Sequence, residues 1–286
     1  MGTSASSPGA GPGVPFDPPW LDDVLPDFPG DGAPPLPEKP NNDEEGDPQP
    51  DQQPDQPNLT PAVAPPARFS NARRNFGEFI RTGDREAFRN ALGHYSRSGM
   101  GGAHRTANRM RVSTRSAAKL FHVLQSARDD SDPNIREWVR ILTTRSTRAQ
   151  DIVNEIIRYV APTGGSIEDN SCRDSMAFAL QDLLKNNPNI DLLRLDDNNI
   201  WALIESFLGY EASSRIYFDN GMYFENKKFS AQTVIRMNEM YDYLRADLSA
   251  QIGKLRHATP NASRGQLQEI LQKAVENTFQ VYEDSL

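Results

Sequence analysis

The 286-residue chain holds one cysteine, Cys172, and so cannot close an internal disulfide. A lone thiol fits a reducing compartment. It is expected to be structural, because its cationic neighbour Arg173 would not face it on a helix. No stretch approaches the ~18 apolar residues of a membrane span. The N-terminus lacks a basic n-region and an apolar h-region, so secretion is not indicated. Asn58-Leu59-Thr60 and Asn261-Ala262-Ser263 match the glycosylation pattern but carry no weight without a secretory signal. A cytoplasmic protein is expected. No G-x-x-x-x-G-K-[ST] loop, H-E-x-x-H or paired C-x-x-C is present, so NTPase, zincin and zinc-ribbon readings lose their support. His94, His104 and His122 have no acidic or histidine partner at helical spacing, and no pair of acids stands out as a catalytic dyad. The expectation is a non-enzymatic chain with neither cofactor nor metal.

Proline is scarce after residue 66, where only Pro133, Pro162, Pro188 and Pro260 occur. The other eighteen lie in residues 1–66, with twelve acids and one base, Lys39, for a net charge of −11. Such a segment has too little apolar surface and too much charge to offset the entropy of ordering, so 1–66 is expected to be a disordered acidic arm. Residues 16–29 differ from their surroundings. Trp20, Leu21, Val24, Leu25 and Phe28 recur at helical spacing among acids, though Pro26 would stop any helix after about a turn. This is the composition of a short motif that folds on a partner, or else tucks onto its own domain.

From residue 67 onward the pattern is helical, and 67–286 is expected to be one all-α, multi-helix domain. Ser70 is placed as the cap of a helix through Arg81 carrying Phe76, Phe79 and Ile80, ended by Thr82-Gly83. Asp84 caps the next, with Phe88, Leu92 and Tyr95 inward. Gly99-Met100-Gly101-Gly102 precedes one long helix at 103–127, and Asp132-Pro133 opens a helix with Ile135, Trp138, Val139 and Leu142. Ile152, Ile156, Ile157 and Val160 mark another, which stops at Pro162, and Ser166 opens one with Met176, Leu180 and Leu183. After a loop at 189–195, a helix from Asp196 carries Ile200, Leu203, Ile204, Phe207 and Leu208, and 219–229 reads as a turn or small hairpin. Val234, Met237, Tyr241, Leu244 and Leu248, then Leu267, Leu271, Ala274, Thr278 and Val281, form two stripes joined by a short loop. They predict a closing antiparallel helical hairpin, core in preference to a dimer seam.

Charge is unevenly spread. Residues 67–128 hold thirteen bases and three acids, whereas 149–286 hold thirteen bases and twenty acids. On the expected helix 103–127, Arg105, Arg109, Arg111, Arg115 and Lys119 fall within an arc of about 160°. Met110, Ala117, Phe121 and Leu124 fall opposite. The stripe is a candidate contact for acidic protein surface, including the chain's own arm, and less favourably for nucleic acid, since exposed aromatics are not interleaved.

Two segments resemble a known family. The first is Met1-Gly2-Thr3-Ser4-Ala5-Ser6-Ser7-Pro8-Gly9 running on to Val14-Pro15 and Pro18-Pro19-Trp20. The second runs from Arg68-Phe69 through Asn75-Phe76-Gly77 and Gly83-Asp84 to Ala91-Leu92-Gly93-His94-Tyr95-Ser96-Arg97-Ser98-Gly99-Met100-Gly101-Gly102. Together they look like the QatB family of the bacterial Qat anti-phage defence system. That resemblance implies three partners: an ATPase, a QueC-like enzyme of the 7-deazaguanine pathway and a TatD-like nuclease. It further implies that this chain is a substrate, with a 7-deazaguanine carboxylate joined to a protein α-amine. Gly2 is the candidate acceptor, with Thr3, Ser4 and Ser6 as flanking recognition residues and Trp20, Leu21, Val24 and Leu25 as a second docking point. Two other readings stand beside it: a nucleic-acid-binding module using 67–128, and an N-myristoylated adaptor, since Met1-Gly2-x-x-x-Ser6 satisfies that pattern. A single acyl chain anchors weakly, and the −11 arm would be repelled by anionic lipid, so no membrane association is expected.

Overall fold

The computed structural model describes residues 64–145, 148–225, 231–258 and 263–286, without the side chains of 221–225 and 258. The acceptor segment and the motif at 16–29 lie outside the described residues. Among the described residues there are ten α-helices, one π-helical turn and no strand, as the all-α expectation requires.

The helix ends follow local chemistry. α1 (Ser70–Thr82) stops at Gly83, whose φ of 76° turns its N–H onto the Phe79 carbonyl at 2.7 Å. Asp84 starts α2 (Arg85–His94) by accepting from the Glu86 N–H at 3.0 Å. A π-helical turn (Tyr95–Met100) extends α2, and α3 (Ala103–Arg109) and α4 (Arg111–Asp129) follow. Asp132 accepts from the Asn134 N–H at 2.8 Å ahead of α5 (Pro133–Arg145). α6 (Ala149–Val160) precedes α7 (Ile167–Asn186), which opens on a reciprocal Ser166–Asp169 cap. Past the loop carrying buried Leu192, Leu193 and Leu195 come α8 (Asp197–Glu225) and α9 (Ala231–Ala258). α10 (Arg264–Asp284) opens on a Ser263–Gln266 cap.

α10 lies against α2, α3, α4 and α9; α8 lies against α4, α7 and α9; α1 pairs with α2. The closing hairpin is α9–α10, and its stripes are core: Leu244, Leu248, Leu267, Leu271, Ala274 and Thr278 are all buried. Val234 and Val281, however, are 49% and 45% exposed, and Met240, Ile252 and Tyr282 are buried instead. A strict 3,4 count drifts from the 3.6-residue period, so its ends rotate off the buried face of a long helix.

Three further expectations are corrected. Ser70 is the first helical residue and not the cap; Phe69 holds that place because its buried ring stacks on Tyr95, centroids 5.7 Å apart. The single helix at 103–127 is two. At Met110 (φ −98°, ψ 10°) the N–H turns to the Ala107 carbonyl at 2.8 Å, with no sequence breaker present. α3 is held between α10 and the π turn while α4 is held between α10 and α8, so packing sets two axes. Finally, 219–225 is helical, not a turn or hairpin, and 226–229 lie outside the described residues. Asp219 is anchored by bonds from Tyr95 and Arg73, and the fully buried Asn220 donates to the Ile216 carbonyl of its own helix, which together offset their weak helix propensity.

Three tyrosines tie helices through carboxylates: Tyr95 to Asp219 at 2.7 Å, Tyr210 to Asp182 and Tyr282 to Asp247. Burial raises each phenol's pKa, and the adjoining carboxylate raises it further. Folded pKa values above the unfolded ~10 mean this stability is complete below pH ~10 and is lost as pH rises beyond it. The urea midpoint is expected to hold between pH ~8 and ~9.5 and to fall steeply by pH ~11, less steeply in Tyr282→Phe. A flat alkaline profile would contradict these hydrogen bonds.

Candidate functional site

Gly2, Thr3, Ser4, Ser6, Trp20, Leu21, Val24 and Leu25 lie outside the described residues. The basic residues are described, and the break at Met110 divides them: Arg105 and Arg109 on α3, Arg111, Arg115 and Lys119 on α4. All five are only partly exposed. Lys119 points inward, donating from Nζ to the Tyr159 carbonyl at 2.5 Å, and burial lowers its pKa. Arg109 lies near enough to Tyr95 to act on its phenol, and Arg105, Arg109 and Arg115 each engage a neighbouring group. A stripe drawn on one ideal helix is thus, in the fold, divided between two helices and partly buried.

The block Ala91–Gly102 is where the structure is most demanding. Ala91 and Leu92 are fully buried. At Gly93 the end of α10 crosses so closely that a Cβ would stand 2.5 Å from the Tyr282 carbonyl oxygen and 2.9 Å from Leu286 Cγ. The π-helical turn then widens the helix by a residue, closing with the Gly102 N–H on the Ser96 carbonyl at 2.9 Å. Consecutive side chains thereby reach different helices. Tyr95 reaches α8 through Asp219, while Ser96 donates to Glu283 Oε1 on α10 at 2.5 Å and meets Thr106 Oγ1 at 2.9 Å. Arg97 donates to the Glu283 carbonyl at 2.6 Å. Gly101 and Gly102, at φ 83° and 117°, make the exit that a side chain would strain. Gly93→Ala is expected to destabilise the protein by about 1–3 kcal/mol through overpacking against backbone. Gly253→Ala, at an open position in α9, is expected to stabilise it by about 0.5–1 kcal/mol. Urea unfolding of the two variants checks both signs.

The second feature is an ion pair within α8 that also binds side chains of α7. Glu211 is fully buried, and its Oε1 accepts from Arg215 Nε at 3.0 Å. Its Oε2 accepts from Ser171 Oγ at 2.9 Å and Ser175 Oγ at 3.1 Å. Arg215 also faces Glu168 at 3.7 Å. Burial pushes the Arg215 guanidinium down, but Glu211 and Glu168 outweigh it and hold the pKa above its ordinary value. The serines donate into a carboxylate away from solvent, which orients them structurally and leaves no approach for a substrate. Cys172, beside them, is fully buried, and burial pushes its pKa up to about 12, far from a nucleophilic thiolate. The periodicity places Tyr95 inward but does not single out its partner Asp219, nor Glu211 and Arg215. The Glu211–Arg215–Asp219 spacing of four on one helix face was the available signal.

Between α5 and α6 an open cleft of about 320 Å³ is lined by Trp138, Ile141, Leu142, Arg145, Asp151 and Arg158, among others. Both charge signs line it, so it favours no ligand of one charge. Among the described residues no helix is long and apolar enough to cross a membrane, and no cluster of His, Cys, Asp or Glu is placed to hold a metal.

Fold and interior together define an all-helical protein whose strongest polar groups hold helices to one another. The family model described as Qat anti-phage system associated protein QatB matches residues 101–282. That span is more than half of the chain, and the chain belongs to this family, as a component of a Qat anti-phage system. The match begins where Ala91–Gly102 ends, so it is carried almost wholly by helices outside the segments of the sequence resemblance. No curated protein and no solved structure matches the chain.

Proposed function

We propose that this chain serves in Qat defence as a non-enzymatic protein substrate, modified at Gly2 by a QueC-like partner. In this reading 1–66 is the reactive and docking arm and the helical domain from about residue 67 is the scaffold. A 7-deazaguanine carboxylate is activated by ATP as its adenylate, with loss of pyrophosphate. The neutral Gly2 amine attacks the acyl carbon, an amide forms, AMP leaves, and the amine gives up a proton. Family membership supplies the defence context. The observation that carries the finer reading is the sequence Met1-Gly2-Thr3-Ser4-Ala5-Ser6-Ser7: with Met1 as initiator, its removal exposes an unhindered α-amine on a small-residue strand suited to backbone pairing in a partner's active site. Trp20, Leu21, Val24 and Leu25 supply the second contact, and an ATPase and a TatD-like nuclease complete the assembly in the cytoplasm.

The test is the intact mass of the full chain expressed with and without the QueC-like neighbour. One adduct on the Gly2 peptide and none on lysine is expected; unmodified Gly2 beside a competent partner, or retained Met1, would sink the proposal. A fourteen-carbon acyl mass would instead assign the arm to lipidation. The nucleic-acid reading would gain from steeply salt-dependent binding of duplex DNA near physiological salt.

A further inference from the structure

The exposed cations of 67–128 are not those of the helical stripe. They are Arg74 and Arg81 on α1, Arg85 and Arg89 on α2, and Arg97 on the π turn. Three are engaged: Arg81 with Glu78 at 2.6 Å, Arg85 over the Tyr243 ring at 4.6 Å, and Arg97 on the Glu283 carbonyl. Arg74 and Arg89 make no hydrogen bond or ion pair among the described residues. α1, α2 and the π turn pack on one another, which brings exposed Arg74 and Arg97 to the end of α2 at His94, and both guanidiniums act on that imidazole, adding to the lowering of its pKa by burial. Of the exposed acids, Asp84 and Glu86 lie toward the start of α2, about 15 and about 12 Å along its axis from His94 although Glu86 is within one turn of Arg89, and Asp284 follows Glu283 at the end of α10.

The chain enters the domain beside this patch. Ala64 is already buried, and Phe69 packs on Tyr95 and against Gly99, within the same turn that carries Arg97. Just upstream, residues 38–55 carry seven acids, Glu38, Asp43, Glu44, Glu45, Asp47, Asp51 and Asp55, against the single base Lys39. From Ala64 back to Asp55 the chain can reach about 30 Å, whereas α1 is only about 20 Å long. Exposed ion pairs are individually weak. A tether this short, however, holds the acids at an effective concentration on the order of mM, which a separate partner must exceed to compete.

We propose that the acidic segment 38–55 of this chain docks on the basic face of α1, α2 and the π turn, at Arg74, His94 and Arg97 with Arg89 on the flank. The occupant is intramolecular, with charge as the attraction and the entry of the chain at Ala64 as the reason for its proximity. Docking moves the origin of the N-terminal lead, residues 1–37, from Ala64 to the α1–α2 face. The inference is independent of what happens at Gly2.

A nitroxide label on Asp47→Cys in the full chain tests it, since the buried, weakly acidic Cys172 stays unlabelled. Amides around Arg74, Arg89 and His94 are expected to lose roughly half their intensity or more at about 0.05 M salt and to recover at about 1 M, where the screening length is ~3 Å. Arg74→Glu with Arg89→Glu should abolish the loss with unchanged circular dichroism. Undiminished amides at low salt, broadening confined to another face, or broadening that survives the double substitution would overturn the proposal. So would equal broadening of an isotope-labelled, spin-free chain mixed with a spin-labelled one, which would assign the contact to a second copy. Capture of short duplex DNA by the same two arginines, with no arm contact at low salt, would overturn it as well.

Discussion

Gly2→Ala is expected to lower adduct formation about 10²-fold, the scale on which a displacement of ~1 Å at a reacting centre is felt. Alanine still permits removal of Met1, so the loss would come from the Cβ beside the nucleophile. Gly2→Leu removes the adduct by a different route, since a large second residue retains Met1. The two variants therefore separate steric access from exposure of the amine. Selectivity for the terminus follows from its acidity: an α-amine titrates near ~7.7–8.0 and a lysine near ~10.4, giving a neutral fraction at pH 7 larger by roughly 10²-fold. The labelling rate should rise with pH and level off above pH ~8 as the neutral amine saturates. Lysine labelling that competes with Gly2, or a Gly2→Ala chain modified at the natural rate, would refute this acceptor.

Glu211→Ala is expected to cost about 3–5 kcal/mol of folding stability, because it leaves the buried Arg215 charge with only the more distant Glu168 at 3.7 Å. Two serine donors lose their acceptor at the same time. For a domain of this size the shift corresponds to about 6–20 °C in Tm. Replacing both partners with apolar residues, Glu211→Leu with Arg215→Met, should recover most of the loss, since a well-packed apolar pair is often neutral or better. Urea midpoints of the singles and the double give the coupling energy directly. A loss below about 1 kcal/mol in Glu211→Ala would show that solvent reaches the pair.

How much of this was legible beforehand depends on where each signal resides. Caps and stops are legible at Gly83, Asp84, Asp132, Pro162 and Ser166, because each depends on a few neighbours in sequence. Ser70 failed where a distant contact intervened, the seating of Phe69 on Tyr95. The single helix expected beneath the basic stripe gives way to two for the same reason. An ideal helix through 103–127 ignores the turn at Met110, and hydropathy counts Lys119 as exposed although a carbonyl forty positions away draws it inward.

The sequence by itself determined that the domain after residue 66 would be all-helical, and where most of its helices begin and end. Those properties rest on backbone propensity and apolar periodicity, which act over one or two turns. Only the tertiary structure decided which charges are buried and which cations remain on the surface. It also decided that Ala91–Gly102 is a clamp. Its partners stand 124 positions away for Tyr95 and Asp219 and 187 for Ser96 and Glu283. A buried charge or hydroxyl is tolerated only with its partner in place, and partners so far apart in sequence meet only once the helices have packed.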